Sequence, residues 1–339
     1  MTDIKDQQLM EDMLKEHKED IVLLKQWISH QQNIPKTITD EEILMFLHSN
    51  YYNLKNTEKT MSTYYTMRGT VQDFFTDRNF NTGTMKQVQD VVKFCFLPNR
   101  TPKGWAILIG KLNTPDSSQL HLDSAIKLLF MHLDTFLQVN PLVSGVVFMF
   151  DMQGVTMSHL TRINLSVVRK YMTYVEEAIP FRLKEIRIIN VNNVITHIMN
   201  MIKPFMNKNH LQFIKMHAPG DLAEMYEKIP RELLPKDYDG EEASFGTLNK
   251  LAVNHVNENI GRFEDEEKLL AQLNKNFKKS NVTQWDFFVN ETLCVVIFEI
   301  NLSRMKVHIV GLRSRPKSGK YSKNYSCNDD FNMQGNTYI

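Results

Sequence analysis

The chain has 339 residues, 42% of them hydrophobic and 23% charged, with a formal net charge of +1. That composition fits a globular protein of one large or two modest domains, and it gives the molecule as a whole no strong pull toward nucleic acid. No apolar run is long enough to span a bilayer. The polar, acidic start (Met1, Thr2, Asp3, Ile4, Lys5, Asp6) is unlike a signal peptide, and Cys95, Cys294 and Cys327 stand alone, without a disulfide framework or CxxC spacing. The compartment expected from these features is the reducing cytoplasm.

In chain order, residues 1–35 are charged and helix-prone. Thr39 with Glu42 three positions on is a capping-box pattern that opens an apolar helix through Leu47. A second helix is predicted over residues 56–75 and a loop over 79–83. Pro102, Lys103 and Gly104 make a turn before the first predicted strand, residues 105–110. Residues 120–139 read as a long helix whose apolar face carries Ala125, Leu128, Leu129, His132, Leu133 and Phe136, and Asn140-Pro141 stops it. His132 on such a face is either a satisfied core residue or a hydrogen-bonding group for something enclosed.

Residues 145–242 are the most informative. Val146, Val147, Phe148, Met149 and Phe150 form a short, continuously apolar run, the pattern of a strand covered on both faces. Asp151, Met152, Gln153 and Gly154 turn it. Helical spacing follows over 158–178, with Ser158 as the expected N-cap and Pro180 as the stop. Residues 186–190 give a second buried strand. Val194, Ile195, Ile198, Met199 and Ile202 then repeat as one apolar helix face, interrupted by Lys203-Pro204 and resumed by Phe205 and Met206. A short strand over 213–217, a helix over 221–229 and a turn-rich exit over 233–242 complete the segment. Strand–helix alternation argues for an α/β sandwich.

Little here carries covalent chemistry. Ser158-His159 near Asp151 invites a hydrolase reading, but neighbouring helical residues point to different sides, and no G-x-S-x-G elbow is present. No HExxH pattern, paired His/Cys set or phosphate-cradling loop occurs. No catalytic residue, metal or cofactor is expected.

Phe150-Asp151-x-x-Gly154, Pro180, Ile188-Ile189-Asn190, Met201-Ile202-Lys203-Pro204-Phe205, Met216-His217 and Leu234-Pro235-x-x-Tyr238-x-Gly240-Glu241-Glu242 resemble the CRAL-TRIO lipid-binding family in type, order and spacing. The branch resembled is that of α-tocopherol transfer protein and cellular retinaldehyde-binding protein. Upstream, residues 43–47 and 64–68 resemble that family's N-terminal helical module. The resemblance implies a three-layer α/β sandwich with a mostly parallel sheet and a mobile lid helix, preceded by an all-helical module. The domains implied are a helical module over 1–80, a lipid-binding domain over 90–250 and a helix with a divergent, partly flexible tail over 251–339.

Carried over by position, the lid residues are Ile195, Ile198, Ile202 and Met206. The wall residues are Leu128, His132, Phe150, Met157, Ile163, Tyr171, Tyr174, Val175, Ile179, Phe181 and Ile186. Tyr171 and Tyr174 are bulkier and more polar than aliphatic wall residues. They narrow the cavity or add a hydrogen bond. Arg182, Lys184, Arg187 and Lys208 are the expected contacts to phosphoinositides or a membrane surface. Asn209 and Phe213 stand where the branch has basic residues, and His48-Ser49 replace basic residues in the helical module. The implied function is carriage of one small lipophilic ligand (a retinoid, carotenoid, tocopherol-like or other isoprenoid lipid) by a monomer that visits membranes transiently. The alternatives are a phosphoinositide-responsive adaptor without cargo and, behind it, a hydrolase-like enzyme.

Beyond residue 250 the pattern changes. Residues 263–277 read as an acidic-to-basic surface helix, 292–300 as a strand-like apolar run, and 313–320 as a basic, flexible stretch.

Overall fold

The computed structural model describes residues 4–277; the apolar run over 292–300 and the basic stretch over 313–320 lie outside them. The first helices are α1 (Ile4–Glu16), α2 (Lys18–Ser29) and α3 (Asp40–Ser49). The expected capping box opens α3. The Thr39 hydroxyl accepts the Glu42 N–H at 3.2 Å, and the Glu42 carboxylate accepts the Thr39 N–H at 3.0 Å. The helix predicted over 56–75 is two elements, α4 (Leu54–Thr70) and α5 (Gln72–Phe75), parted at Val71, whose ψ of 78° leaves the helical region. Helix α6 (Gly83–Val91) follows.

The sheet holds β1 (Val92–Phe96), β2 (Ala106–Leu112), β3 (Val146–Asp151), β4 (Leu183–Ile189) and β5 (Ile214–Met216) in that spatial order. β1 runs antiparallel to β2; all other pairs are parallel. The prediction missed β1, because the chain passes from α6 straight into it with no turn residue to announce a strand.

The remaining helices are α7 (Leu122–Val139), α8 (Met157–Leu160), α9 (Leu165–Glu177), α10 (Val194–Ile202), α11 (Ala223–Lys228), α12 (Phe245–Glu258) and α13 (Ile260–Phe277). Alternation along each strand divides the sheet faces. Leu108, Val146 and Phe148 pack toward α7 and α9 with Leu128, Val175 and Phe181. Ile107, Ile109, Val147 and Met149 pack toward α11 and α12 with Met225, Phe245 and Leu248. These are the three layers that the alternation implied. A Cβ on Gly110 would fall 2.6 Å from the Phe94 ring and 3.0 Å from that of Phe150, so glycine there lets both rings cover the strand.

α13 is not a surface helix. Phe263 and Leu270 are buried, and its Glu266 joins an ionic node described below.

Candidate functional site

The expected lid is a helix lying on the sheet. Ile195 and Met199 are buried against Met152 and Ile188, with Ile186, Ile198 and Ile202 half-buried around them. Lys203–Phe205 continues as a 3₁₀ turn with Pro204 in its first positions, where a missing N–H costs no helical bond. Met206 is buried with Val168 and Met172 of α9, beside half-buried Ile163, Tyr171 and Phe205.

Three apolar clusters therefore meet under this segment: the main core, the cluster of Ile195 and Met199, and the cluster of Met206. Leu122 and Tyr171 belong to the first and third, Ile186 to the first and second, and Ile202, Leu211 and Ile214 to the second and third. Each of these six side chains is only half-buried, whereas Phe148 beside them on the sheet is fully buried. An apolar seam with incompletely buried walls under a helix held by apolar contacts is a place where a greasy molecule can replace side-chain contacts.

The expected wall residues divide. Phe150, Ile163, Tyr171 and Ile186 adjoin the seam, and Leu128, Val175, Ile179 and Phe181 form the core behind it. Met157 does not line a wall: it is 52% exposed at the start of α8. Tyr174 is 1% exposed, and its hydroxyl accepts from Arg68 Nη1 at 2.9 Å, so its polar end serves another site. The Tyr171 hydroxyl has no hydrogen bond among the described residues, and burial raises its pKa, leaving a neutral group beside the seam. His132 is buried between the Phe80 and Phe94 rings. Burial lowers its pKa to about 3, and Nε2 is unpartnered among the described residues. It is a neutral imidazole with hydrogen-bonding capacity to spare. The sequence reading missed Leu122, Leu211 and Ile214. Leu211 and Ile214 had a signal, since they continue the apolar positions beyond the Pro204 break.

The expected basic set also divides. Arg182 donates to the His48 carbonyl and lies 3.9 Å from the Tyr51 ring centroid, while Lys184 donates to the Tyr51 hydroxyl at 3.0 Å. Tyr51 is 65% exposed and takes a left-handed φ of 53°. Lys184 and Lys103 both approach the Trp105 ring. Cations interleaved with accessible aromatic rings suit a membrane interface. Burial, then Arg182 and Lys184, lower the His48 pKa to about 4. Arg187 is excluded from this surface: it is fully buried on the opposite sheet face, paired with Glu185 and 3.2 Å from His217 Nε2. Lys208 is exposed in the 3₁₀ turn Lys208–Phe213.

Ser158 and His159 both bond Thr156, and Asp151 bonds neither of them. Thr156, not Ser158, caps α8; its N–H donates to His159 Nδ1 at 3.1 Å. Asp151 accepts from Asn190 and Tyr238. Among the described residues, no group of His, Cys, Asp or Glu has metal-site geometry, and no helix is long and apolar enough to cross a membrane.

The ionic node had no counterpart in the sequence reading. Arg68 of α4 binds Glu266 through Nε and Nη2, both at 2.7 Å, and Asp134 of α7 through Nη1 at 3.0 Å and Nη2 at 2.6 Å. Arg78 joins the same two carboxylates at 3.2 and 2.8 Å. Burial alone would raise the Glu266 pKa, but the two guanidinium groups outweigh it and bring it to about 2. A cleft of about 350 Å³ opens beside this node, lined by residues including Glu42, Tyr65, Arg68, Asp134 and Glu266. Its charged lining is unlike what a lipid needs.

Residues 91–240 match the family model described as CRAL/TRIO domain, and residues 14–85 match one described as Pinta-like, UBA domain. "Alpha-tocopherol transfer protein-like" proteins of Homo sapiens and Pongo abelii are each 22% identical over 222 residues, covering 65% of this chain and 64% of the relative. The Mus musculus protein of the same name is 23% identical over 218 residues, 64% of this chain and 63% of its own. The match thus spans somewhat under two thirds of each relative. A solved structure titled "Crystal structure of Sfh5" aligns with a TM-score of 0.40 and 12% identity over 74% of this chain and 92% of that one, too loosely to carry an argument.

Proposed function

We propose that this chain, which belongs to the CRAL-TRIO lipid-binding family, binds one small lipophilic molecule in the apolar seam under α10 and transfers it between membranes. The seam is the observation that carries this reading: six half-buried apolar or aromatic side chains, Ile202 of α10 among them, where three clusters meet; α10 is the lid in this reading. Removing apolar area from water supplies the affinity, at about 25 cal/mol per Å² before ordering costs. The unbonded Tyr171 hydroxyl at the seam favours a cargo with one polar group, such as a retinoid, tocopherol-like or other isoprenoid alcohol or aldehyde; His132, farther along α7 between Phe80 and Phe94, is a second contact only for a cargo long enough to reach it. Arg182, Lys184 and Lys208, with Tyr51 and Trp105, supply a surface for anionic membranes or phosphoinositide head groups. We read the protein as a carrier rather than an enzyme, since Ser158 and His159 Nδ1 both bond Thr156 rather than each other, and Asp151 is bonded to Asn190 and Tyr238 rather than to His159.

The test is mass spectrometry of organic extracts from the protein after incubation with mixed lipids and repurification, beside Ile202→Asp. The expected result is one lipid at about one per chain in the parent and none in the variant. A parent that retains nothing from extracts containing retinoids, sterols, tocopherols and phospholipids would leave the adaptor reading.

A further inference from the structure

Three motif residues far apart in sequence meet at one carboxylate. Asp151 ends β3, Asn190 follows β4, and Tyr238 lies in the exit turn. Asp151 Oδ1 accepts from Asn190 Nδ2 at 2.8 Å and from the Gln153 N–H at 2.9 Å; Oδ2 accepts from the Tyr238 hydroxyl at 3.0 Å. Asp151 is 4% exposed and Tyr238 6%. All three donors are neutral. Burying a carboxylate is costly unless donors satisfy it, so a carboxylate kept here without a bonded cation points to a positional task.

Asn190 has a φ of 53°, a left-handed conformation that Asn tolerates better than most residues. The chain then enters the lid. The backbone around this point is tied down: Met152 N–H donates to the Ile189 carbonyl at 3.0 Å, His217 N–H to Ile188 at 2.8 Å, and Val191 N–H to His217 at 3.1 Å. Asn192 adds two bonds, from Nδ2 to the Val155 carbonyl and from the Val194 N–H to Oδ1. Beyond this root only the backbone bonds of the helix and its 3₁₀ turn continue. Among the described residues, no side chain from Ile195 to Met206 makes a hydrogen bond. The next polar tie is at the far end, where the Glu176 carboxylate accepts the Asn207 N–H at 2.9 Å.

We propose that Asp151 is the hinge anchor of the lid, a positioning residue whose carboxylate holds Asn190 in its left-handed turn, so that residues 194–206 swing about residues 190–193 while the root stays fastened to the exit turn through Tyr238. The inference rests on the lid reading above. Three stretches far apart in the chain thereby form one joint. If Asp151 served only the turn to Gln153, the lid would not sense Tyr238.

Hydrogen–deuterium exchange on the full chain tests it. Tyr238→Phe removes one hydroxyl and keeps the ring; Asn190→Gly keeps the left-handed backbone and removes the donor. Both are expected to speed exchange across residues 194–206 about fivefold, the effect of losing one neutral hydrogen bond, with β2 and β3 peptides unchanged. Unchanged lid exchange in both variants overturns the anchor, as does an equal rise in the strands, which marks general loosening. Lipid loading of Ile202→Asp separates the two ideas: normal loading sinks the lid reading, whereas an empty Ile202→Asp beside unaltered exchange in both hinge variants sinks the anchor alone.

Discussion

The ionic node and the apolar seam are both interior, and they are built on opposite terms. At the node, Arg68 and Arg78 share Asp134 and Glu266, the Arg68 guanidinium lies over the Tyr64 and Phe75 rings, and it also donates to Tyr174. Arg68 is 3% exposed. At the seam no side-chain hydrogen bond forms among the described residues of the lid, and the six meeting side chains remain half-buried. A node of that kind has one good geometry, since a displaced partner leaves a buried charge uncompensated. An apolar seam has many, because dispersion contacts are non-directional. The difference separates tasks. The node ties α4, α7 and α13 together, whereas in the proposed function the seam exchanges its side-chain contacts for a ligand.

The sharpest way to break that comparison is at the node. Arg68→Ala leaves two half-buried carboxylates with only Arg78 and should cost about 3 kcal/mol, read as a fall in Tm or failure to fold. At the seam, Ile202→Asp should remove lipid loading yet cost no more than about 2 kcal/mol in thermal unfolding, since residue 202 is already half-exposed. Equal destabilisation by both changes would erase the distinction.

Acid should also act on the node. The folded Glu266 pKa, about 2, lies below its ordinary 4.5. Its contribution is therefore complete above about pH 4.5 and is lost as pH falls toward 2. Tm should drop across that window, and the drop should be shallower in Glu266→Gln. His48, lowered from 6.5 to about 4, adds an earlier loss as pH falls between those values, which His48→Gln should flatten. The smallest effect is expected at His132. His132→Leu removes an unpaired buried polar group, so stability should hold or rise by about 1 kcal/mol, while affinity for a hydroxyl-bearing lipid falls relative to its hydrocarbon analogue. Equal losses for both ligands would remove His132 from cargo recognition.

What the sequence made legible follows the same division. Period and continuity exposed the apolar parts: β3 as an unbroken run, α7 and α10 as stripes, the Pro204 break as a change of helix type. Paired charges left no such mark. Arg68, Asp134 and Glu266 are separated by 66 and 132 positions along the chain, and each alone looks like a solvated helix residue, so α13 read as surface. Arg187 read as a surface cation for the same reason; strand alternation puts it on the face opposite Ile186 and Ile188, against Glu185 and His217. Tyr174 sits on the expected wall helix, but which way its hydroxyl turns depends on Arg68, a distant residue that no periodicity reports. Thr156 rather than Ser158 caps α8 because His159 at the third helical position completes the reciprocal bond.

The most direct test of the account is photocrosslinking with a diazirine-bearing farnesol, followed by peptide mapping of the labelled residues. Labels concentrated at Leu122, Tyr171, Ile186, Ile202, Leu211 and Ile214 are the result predicted. Labels confined to the charged cleft beside Arg68 and Glu266, or scattered over the exposed surface and insensitive to Ile202→Asp, would contradict a cargo site under the lid.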